Sequence, residues 1–296
     1  MNQQEKPAGA VGGLLRVRCR LAYDGTDFHG WAAQPGRRTV QGELEAALAT
    51  VLRVPDDALP RAVCAGRTDA GVHARDQHVH VDLPAGVWQQ QVPSQLLRRL
   101  NGLLPADVRV FDLRAAEPGF DARFSVRSRT YRYRVSAGRP VDPLLRRFVV
   151  EHPAELDPAA MNRAAQSLLG EHDFAAFCRR RPGASSTRTL RTLVWEDDAA
   201  AQGVLALVIT ADAFCHSMVR SLVGALLPVG DGRRPVEWPM QVLAGGCRRP
   251  DVMVAPAHGL VLEAVDYPED LGGQAQRSRR IRGPIAGADR PASRQR

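Results

Sequence analysis

The sequence predicts an α+β fold made of two β-α-β-β-α-β halves with mainly antiparallel sheets. Short stretches that alternate apolar and polar residues, as half-buried strands do, are separated by stretches with apolar residues three and four apart, as in amphipathic helices. In both halves two strand-like stretches follow each other without a helix between them, which argues against a strictly alternating α/β fold. The 296 residues, 44% of them hydrophobic, are enough for two ordinary domains.

The first half is predicted to span residues 14–120. Residues 15–21 alternate apolar and basic side chains, and Leu44, Leu48 and Val51 fall on one helical stripe. In chain order we expect a strand over residues 15–21, a helix over 40–52, strands over 62–65 and 78–81, a helix over 93–104 and a strand over 108–113.

The second half, predicted to span residues 121–268, repeats that order. We expect a strand over residues 130–135, a helix over 158–169, strands over 189–195 and 204–210, a helix over 216–227 and a closing strand over 260–265. Two such units in one chain predict two ferredoxin-like halves. Outside them, residues 1–13 and 269–296 hold little that can be buried, so both are predicted to be disordered extensions, the second of them rich in Arg.

The charge of the chain favours a polyanionic partner. Basic residues outnumber acidic ones by 40 to 32, which gives a formal net charge of +8. Basic side chains displace counterions from phosphates, and Arg in particular binds phosphate through two nitrogens. Part of the excess lies in the C-terminal tail, and a GC-rich genome explains abundant Arg equally well. Composition therefore permits a nucleic-acid partner without requiring one.

Cysteine usage and hydropathy indicate the compartment. The five cysteines are scattered and form no C-x-x-C pair, which predicts reduced side chains in a cytoplasmic protein. The first residues lack the profile of a signal peptide, and no apolar run approaches the roughly 18 residues that cross a bilayer. We therefore expect a cytoplasmic protein with no membrane segment.

The segment that carries chemistry connects the second and third predicted strands and reads Ala-Gly-Arg-Thr-Asp-Ala-Gly-Val-His over residues 65–73. Its glycines, Gly66 and Gly71, allow sharp turns and the close approach of a ligand. Between them stand Arg67, a threonine and Asp69, with small neighbours that leave room above the carboxylate. Taken alone, an acid in such a loop is more often a turn former or a helix cap.

This segment resembles the signature of the tRNA pseudouridine synthase A (TruA) family. The likeness continues, in the family's order, over about residues 14–268. The other matching segments are Tyr23-Asp24-Gly25, Phe28-His29-Gly30-Trp31, Thr39-Val40-Gln41, Asn101, Leu104-Pro105-Ala106-Asp107-Val108, Asp121-Ala122-Arg123-Phe124-Ser125, Arg129-Thr130-Tyr131-Arg132-Tyr133, Leu169-Gly170-Glu171-His172-Asp173-Phe174, Phe214-Cys215-His216-Ser217-Met218-Val219-Arg220 and Ala255-Pro256-Ala257-His258-Gly259-Leu260.

The resemblance implies an isomerase that converts uridine to pseudouridine at positions 38–40, in the anticodon stem-loop of tRNA, with no cofactor and no catalytic metal. It implies that Asp69 is the catalytic carboxylate, acting as a nucleophile at C1′ or as a base near the sugar. It also implies that Arg67, Tyr131, Arg220 and Leu260 bind the substrate. Members of the family work as homodimers with the RNA crossing both subunits, so a homodimer is expected.

The residues themselves agree with these roles but leave alternatives open. Arg220 lies in a stretch of apolar and small residues, and a buried guanidinium needs a carboxylate partner, for which Asp69 is the natural candidate; it could instead extend to the surface. Tyr131 can stack on uracil and offer its phenol for proton transfer, or be an ordinary strand aromatic. Arg67 can fill the gap left by a flipped base, or pair with a neighbouring acid.

Two positions depart from the family's pattern. Asp76 stands where glycine is common, and His78 stands where a small apolar residue is expected, so an extra negative charge could weaken RNA binding nearby. His73, His78 and His80 with Asp76 resemble a metal-ligand set only faintly, and no metal site is expected.

Two other classes of function compete with the isomerase. One is an RNA-binding protein without catalysis, because ferredoxin-like sheets recur in RNA binders. The other is a glycosidic hydrolase, which would normally need a second acid near Asp69; the only nearby candidate is Asp76.

Overall fold

The computed structural model describes residues 10–11, 13–54, 61–179 and 185–282. In the first half the elements are, in order, β1 (Ala10–Val11), β2 (Leu14–Tyr23), α1 (Val40–Leu52), β3 (Val63–Cys64), β4 (His73–Pro84), α2 (Ala85–Gln89), α3 (Pro93–Leu103) and β5 (Val108–Ala115). In the second half they are β6 (Ser128–Ala137), β7 (Val150–His152), α4 (Pro158–Gln166), β8 (Gly170–Asp173), β9 (Thr187–Asp197), β10 (Val204–Ala211), α5 (Met218–Gly230), α6 (Trp238–Ala244), β11 (Leu260–Asp266) and α7 (Leu271–Arg282).

The strands of each half follow the ferredoxin-like order. In the first half β5, β2, β4 and β3 lie side by side, and in the second half β11, β6, β10 and β9 do so, with antiparallel pairing throughout each set. Numbered by their place in a β-α-β-β-α-β unit, both sets run fourth, first, third, second. The predicted α+β fold with two similar, mainly antiparallel halves is confirmed.

The two halves share one sheet, which the sequence does not predict. β4 of the first half and β11 of the second pair in parallel, with Val261 opposite His73 and Leu262 opposite Ala74. Within the described residues, this contact joins the two units into a continuous sheet of eleven strands. Because His73 is also the last residue of the signature segment, the loop with Asp69 lies where the two halves meet.

Helix α5 is the most enclosed helix near this junction. Eleven of its thirteen residues are buried, and α4 and α6 pack against it. Its apolar composition, with alanine, leucine and valine on every side, suits a helix that is covered all round. A rigid helix therefore lies beside the junction of the two halves.

Side-chain caps fix the starts of α1 and α4, the first helix of each half. The Thr39 hydroxyl accepts a hydrogen bond from Gly42 N–H at 3.3 Å. The Asp157 carboxylate accepts from Ala159 N–H at 2.8 Å and from Ala160 N–H at 3.0 Å. These bonds satisfy amides that have no partner within the helix.

The prediction of a disordered C-terminal tail is wrong for its first part, since Leu271–Arg282 form helix α7. Arg279 donates to the Asp121 carboxylate at 2.7 Å, Gln274 donates to Val126 O at 3.2 Å, and Ala275 is buried. The helix is too polar to be recognised from apolar spacing, and it is held by these contacts instead. Likewise β1 pairs with β2 within the predicted N-terminal extension. Residues 1–9 and 283–296 lie outside the described residues.

The prediction that all cysteines are reduced is wrong for one pair. Cys178 and Cys215 form a disulfide, with Cα atoms 5.6 Å apart and 37 residues between them in sequence. Cys19 and Cys64 are buried thiols, and Cys247 is exposed. The disulfide ties the stretch before β9 to the turn before α5, a contact between distant segments that cysteine spacing alone does not reveal.

Candidate active site

The loop that connects β3 to β4, residues 65–72, is fixed at its start by buried polar side chains. Gln77 donates to Gly66 O at 2.7 Å and accepts from Gly66 N–H at 3.4 Å. The buried Arg129 of β6 donates to Ala65 O through Nε at 2.9 Å and also bonds Asp212 O at 2.8 Å. Arg129 therefore ties the loop of the first half to the end of β10 in the second.

Two glycines let this loop lie close to the segment that contains Gly30 and Trp31. Gly71 has φ +77°, a left-handed conformation that costs glycine little. Gly30 has φ +91°, and a Cβ there would lie 2.8 Å from Thr68 O. Trp31 N–H donates to that same oxygen at 3.1 Å, which fixes the backbone just before Asp69.

Three side chains from the second half of the chain contact the Asp69 carboxylate. Arg220 Nη1 lies 3.4 Å and Ser217 Oγ 3.3 Å from Asp69 Oδ2, while His216 Nε2 lies 3.3 Å from Oδ1. The carboxylate keeps about a quarter of its surface exposed, with a relative exposure of 26%. It is thus oriented by fixed groups and still open to a ligand.

The guanidinium of Arg220 has the internal partners that its buried surroundings require. Its Nε donates to Ala255 O at 2.7 Å, which leaves Nη1 directed at Asp69. The predicted pairing of these two residues is therefore present, and the guanidinium does not extend away to the surface. Because the pair connects α5 to the β3–β4 loop, it spans the two halves.

Tyr131 lies on β6, opposite Leu262 of β11 and Ile209 of β10. Burial raises the pKa of its phenol and outweighs the lowering by the Arg129 charge, and the Asp69 charge adds a smaller upward effect. The hydroxyl is consequently protonated at neutral pH and can donate a hydrogen bond. The ring meets Phe214 edge to face at 5.1 Å, so a structural role accompanies any contact with substrate.

The other two predicted substrate-binding residues lie in contrasting surroundings. Arg67 is exposed and has no hydrogen-bond or ion-pair partner in the described part of the chain, so it does not pair with a neighbouring acid there. Leu260 is buried at the start of β11, opposite Tyr133. Arg67 is exposed and can contact a ligand, whereas Leu260 is buried in the sheet.

Sequence reasoning missed two residues that touch the carboxylate, His216 and Ser217. Both belong to the matching segment that contains Arg220, so the signal was their position within four residues of a predicted site residue. Arg129 was also missed as a support of the loop, although it opens the segment that contains Tyr131.

The two departures from the family's pattern are partners of each other. Asp76 Oδ1 lies 3.2 Å from His78 Nε2 and 3.5 Å from Arg20 Nη1, and Asp76 Oδ2 accepts from Val265 N–H at 3.1 Å. Burial alone would raise the pKa of Asp76, but the bonds from His78 and Val265 lower it. The extra charge is compensated within the sheet.

Comparison with known proteins decides the family. A family model described as tRNA pseudouridine synthase matches residues 164–268. The tRNA pseudouridine synthase A of Streptomyces griseus is 53% identical over 286 residues, which cover 95% of this chain and 97% of that protein. The proteins of the same name from Frankia casuarinae and Mycobacterium leprae are 53% and 49% identical, over 92% and 86% of this chain and 97% and 91% of theirs. The chain belongs to the tRNA pseudouridine synthase A family. It is accordingly an enzyme of the isomerase class.

Neither a metal-ligand cluster nor a helix able to cross a membrane occurs in the described part of the chain. The faint histidine pattern has a structural explanation. His73 Nδ1 accepts from Gly25 N–H at 2.9 Å, so its Nε2 donates to His258 O at 3.0 Å. His80 Nδ1 accepts from Ala122 N–H at 3.0 Å. Both ring nitrogens of His73 and Nδ1 of His80 thus have backbone partners.

Proposed function

We propose that this enzyme isomerises uridine to pseudouridine in the anticodon stem-loop of tRNA, positions 38–40, with Asp69 as the catalytic carboxylate. The observation that carries the proposal is the carboxylate itself, partly exposed and held by Arg220, Ser217 and His216 at 3.3 to 3.4 Å. The names of the similar proteins support the tRNA substrate, and the family resemblance supports the stem-loop.

The reaction balances without a cofactor. The C1′–N1 bond of uridine breaks, the uracil turns, and C5 forms a bond to C1′. The proton lost from C5 is matched by one gained at N1, so nothing is oxidised or reduced. Asp69 acts either as nucleophile at C1′ or as base toward a ribose proton, and in both cases Arg220 orients it and balances its charge.

The remaining site residues have separate tasks. A base inside a stem must be flipped out before any group can reach C1′. Arg67, which is exposed and has no ion-pair partner among the described residues, is suited to fill the gap or contact a phosphate. Tyr131, as a neutral phenol, stacks on the uracil or donates to it, and the family resemblance supports a contact of Leu260 with the substrate. Arg67 would thus act in tRNA binding, whereas Tyr131 would position the reacting uracil.

The decisive test compares wild type, Asp69→Asn and the control Asp76→Asn on unmodified tRNA, with pseudouridine mapped by carbodiimide-stop sequencing. We expect Asp69→Asn to bind tRNA within about threefold of wild type and to convert it about 1,000-fold more slowly or not at all. Asp76→Asn should convert tRNA like wild type, because Asp76 bonds within the sheet.

Other outcomes would select the competing functions. Wild type that binds tRNA and makes no pseudouridine would point to RNA binding alone. Release of free uracil, lost in both Asp variants, would point to a glycosidic hydrolase. An Asp69→Asn variant with wild-type conversion would remove the carboxylate from the mechanism.

We further propose that the enzyme acts as a homodimer, which rests on the family resemblance. Sedimentation at assay concentration should show a dimer that binds tRNA. A monomer with full activity would contradict this.

A further inference from the structure

Ser217, which precedes α5, has an unusual backbone for its residue type. Its φ is +62° and ψ +8°, in the left-handed region that side chains with a Cβ rarely adopt. It is the N-cap residue of α5, but its side chain makes no capping bond to that helix. Its hydroxyl instead donates to Asp69 Oδ2 at 3.3 Å. A strained backbone together with a missing capping bond indicates that the direction of the Ser217 side chain is important for the site.

This turn distributes its partners unequally over the two oxygens of Asp69. Ser217 Oγ and Arg220 Nη1 both lie beside Oδ2. His216 Nε2 lies beside Oδ1, and the His216 side chain is 42% exposed whereas that of Arg220 is 19% exposed. The partners of Oδ2 are thus less exposed than the partner of Oδ1, which lies on the more open side of the carboxylate.

We propose that the His216–Ser217 turn is a positioning device for the reaction, in which Ser217 and Arg220 hold Oδ2 and His216 directs Oδ1 toward the ribose of the flipped uridine. Oδ1 is the reacting oxygen. His216 donates to it from the solvent side until the substrate arrives and keeps the carboxylate plane from rotating. The left-handed Ser217 brings both side chains to the same carboxylate, because a right-handed residue there would send the chain in another direction.

This inference rests on the proposed role of Asp69, and the backbone around the turn supports it. His216 O accepts from Arg179 N–H at 3.0 Å, and the adjacent Cys215 is bonded to Cys178. These two links fix the turn independently of Asp69. A rigid turn can restrain a carboxylate more effectively than a mobile one, because misplacement by about 1 Å costs up to about 100-fold in rate.

The test replaces His216 in two ways and measures single-turnover conversion separately from tRNA affinity. His216→Phe keeps a ring and loses the donor, whereas His216→Gln keeps an N–H near the place of Nε2. We expect His216→Phe to lower the single-turnover rate by about 10- to 100-fold, with tRNA affinity within about threefold of wild type. His216→Gln should recover most of that loss.

His152→Phe serves as the matched control. His152 Nε2 pairs with Asp231 Oδ2 at 3.1 Å at the other end of α5, about 20 Å from Ser217 by the rise of a 13-residue helix. Removal of this second His–Asp pair should leave the single-turnover rate unchanged. A loss as large as that in His216→Phe would show that both histidines serve only stability, and would overturn the proposal.

A second variant, Ser217→Gly, separates positioning from folding. Glycine adopts the left-handed conformation freely, so the melting temperature should stay equal or rise, while the single-turnover rate falls by about tenfold because the hydroxyl is gone. Wild-type rates in both Ser217→Gly and His216→Phe would overturn the proposal. If Asp69→Asn is inactive in the same assay, wild-type rates in the two turn variants contradict only this inference. If Asp69→Asn is active, the proposed function fails as well.

Discussion

The two halves of the molecule have the same order of elements and use it differently. Helix α3 of the first half and α5 of the second occupy equivalent places, but α3 buries only Leu96 and Leu100, whereas α5 buries eleven of thirteen residues. The difference follows from what covers each helix, because α4 and α6 both pack on α5. A charged residue on α5, unlike one on α3, must therefore find an internal partner.

The equivalent hairpins differ in the same way. In the second half, the turn between β9 and β10 carries Asp198, which accepts from Ala200 N–H at 2.8 Å and pairs with Arg134 at 2.6 Å. Asp198 is thus the ordinary acid of a turn, bonded within its own half. Asp69 stands in the corresponding hairpin of the first half, and its three side-chain partners come from the other half. The partners of an acid, more than its place in the hairpin, therefore distinguish a candidate catalytic group.

The largest effect is expected from breaking the pair that spans the halves. Arg220→Ala should lower conversion by about 100-fold or more while tRNA still binds, because the carboxylate loses the guanidinium that orients it. Arg98→Ala on the equivalent, exposed helix α3 should change conversion by less than about twofold. Single-turnover assays with filter binding measure both. Full activity of Arg220→Ala would show that the ion pair is dispensable.

Much of the fold follows from local sequence, and most of the site does not. Helix α1 was predicted with its observed bounds, because Leu44, Leu48 and Val51 repeat at helical spacing and Thr39 caps its start. Short β7 and β8, and the parallel pairing of β4 with β11, have no local pattern, since edge strands and crossings between halves depend on distant segments.

The site shows the same limit. The pairing of Arg220 with Asp69 was predictable, because a buried charge restricts its partners. By contrast, the left-handed conformation of Ser217 cannot be read from a serine, since serine ordinarily avoids it. The contact of His216 with Asp69 follows from that turn. The roles of Asp69, Arg67, Tyr131, Arg220 and Leu260 in catalysis and binding stay predictions.

The second effect concerns acid pH, at which the buried His80 of the first half should lower the stability of the fold. Burial, reinforced by the Arg16 charge, lowers the pKa of His80 to about 4, against the opposing effect of nearby carboxylates. The folded state thus holds His80 neutral, and as pH falls from about 6.5 to about 4 the unfolded chain binds a proton that the folded chain does not, which costs up to about 3 kcal/mol.

His80→Asn tests this, because its amide oxygen can still accept from Ala122 N–H without titrating. Urea unfolding at pH 7 and pH 4.5 should show a smaller loss of stability in the variant than in wild type. Equal losses in the two proteins would mean that His80 does not titrate in this range.

A smaller effect is expected at Asp198. The Ala200 N–H and Arg134 lower the pKa of this carboxyl, although burial opposes them, so its contribution is present above the unfolded pKa near 4 and is lost as pH falls through the lower folded value. Asp198→Asn should cost about 1 to 2 kcal/mol at pH 7 and leave conversion unchanged. Asp69→Asn should do the reverse. A loss of conversion in Asp198→Asn would remove the distinction between the two hairpins.

The smallest effect compares the caps of the equivalent helices α1 and α4. Asp157 accepts two amide hydrogen bonds and places a negative charge at a helix N-terminus, whereas Thr39 accepts one longer bond. Asp157→Ala should therefore cost about 1 to 2 kcal/mol and Thr39→Ala about 0.5 to 1 kcal/mol. Urea unfolding in low and high salt measures both. The cost of Asp157→Ala should shrink in high salt, because the charge acting on the helix dipole is screened, and that of Thr39→Ala should not. A salt-independent difference would assign the stronger cap to hydrogen bonding alone.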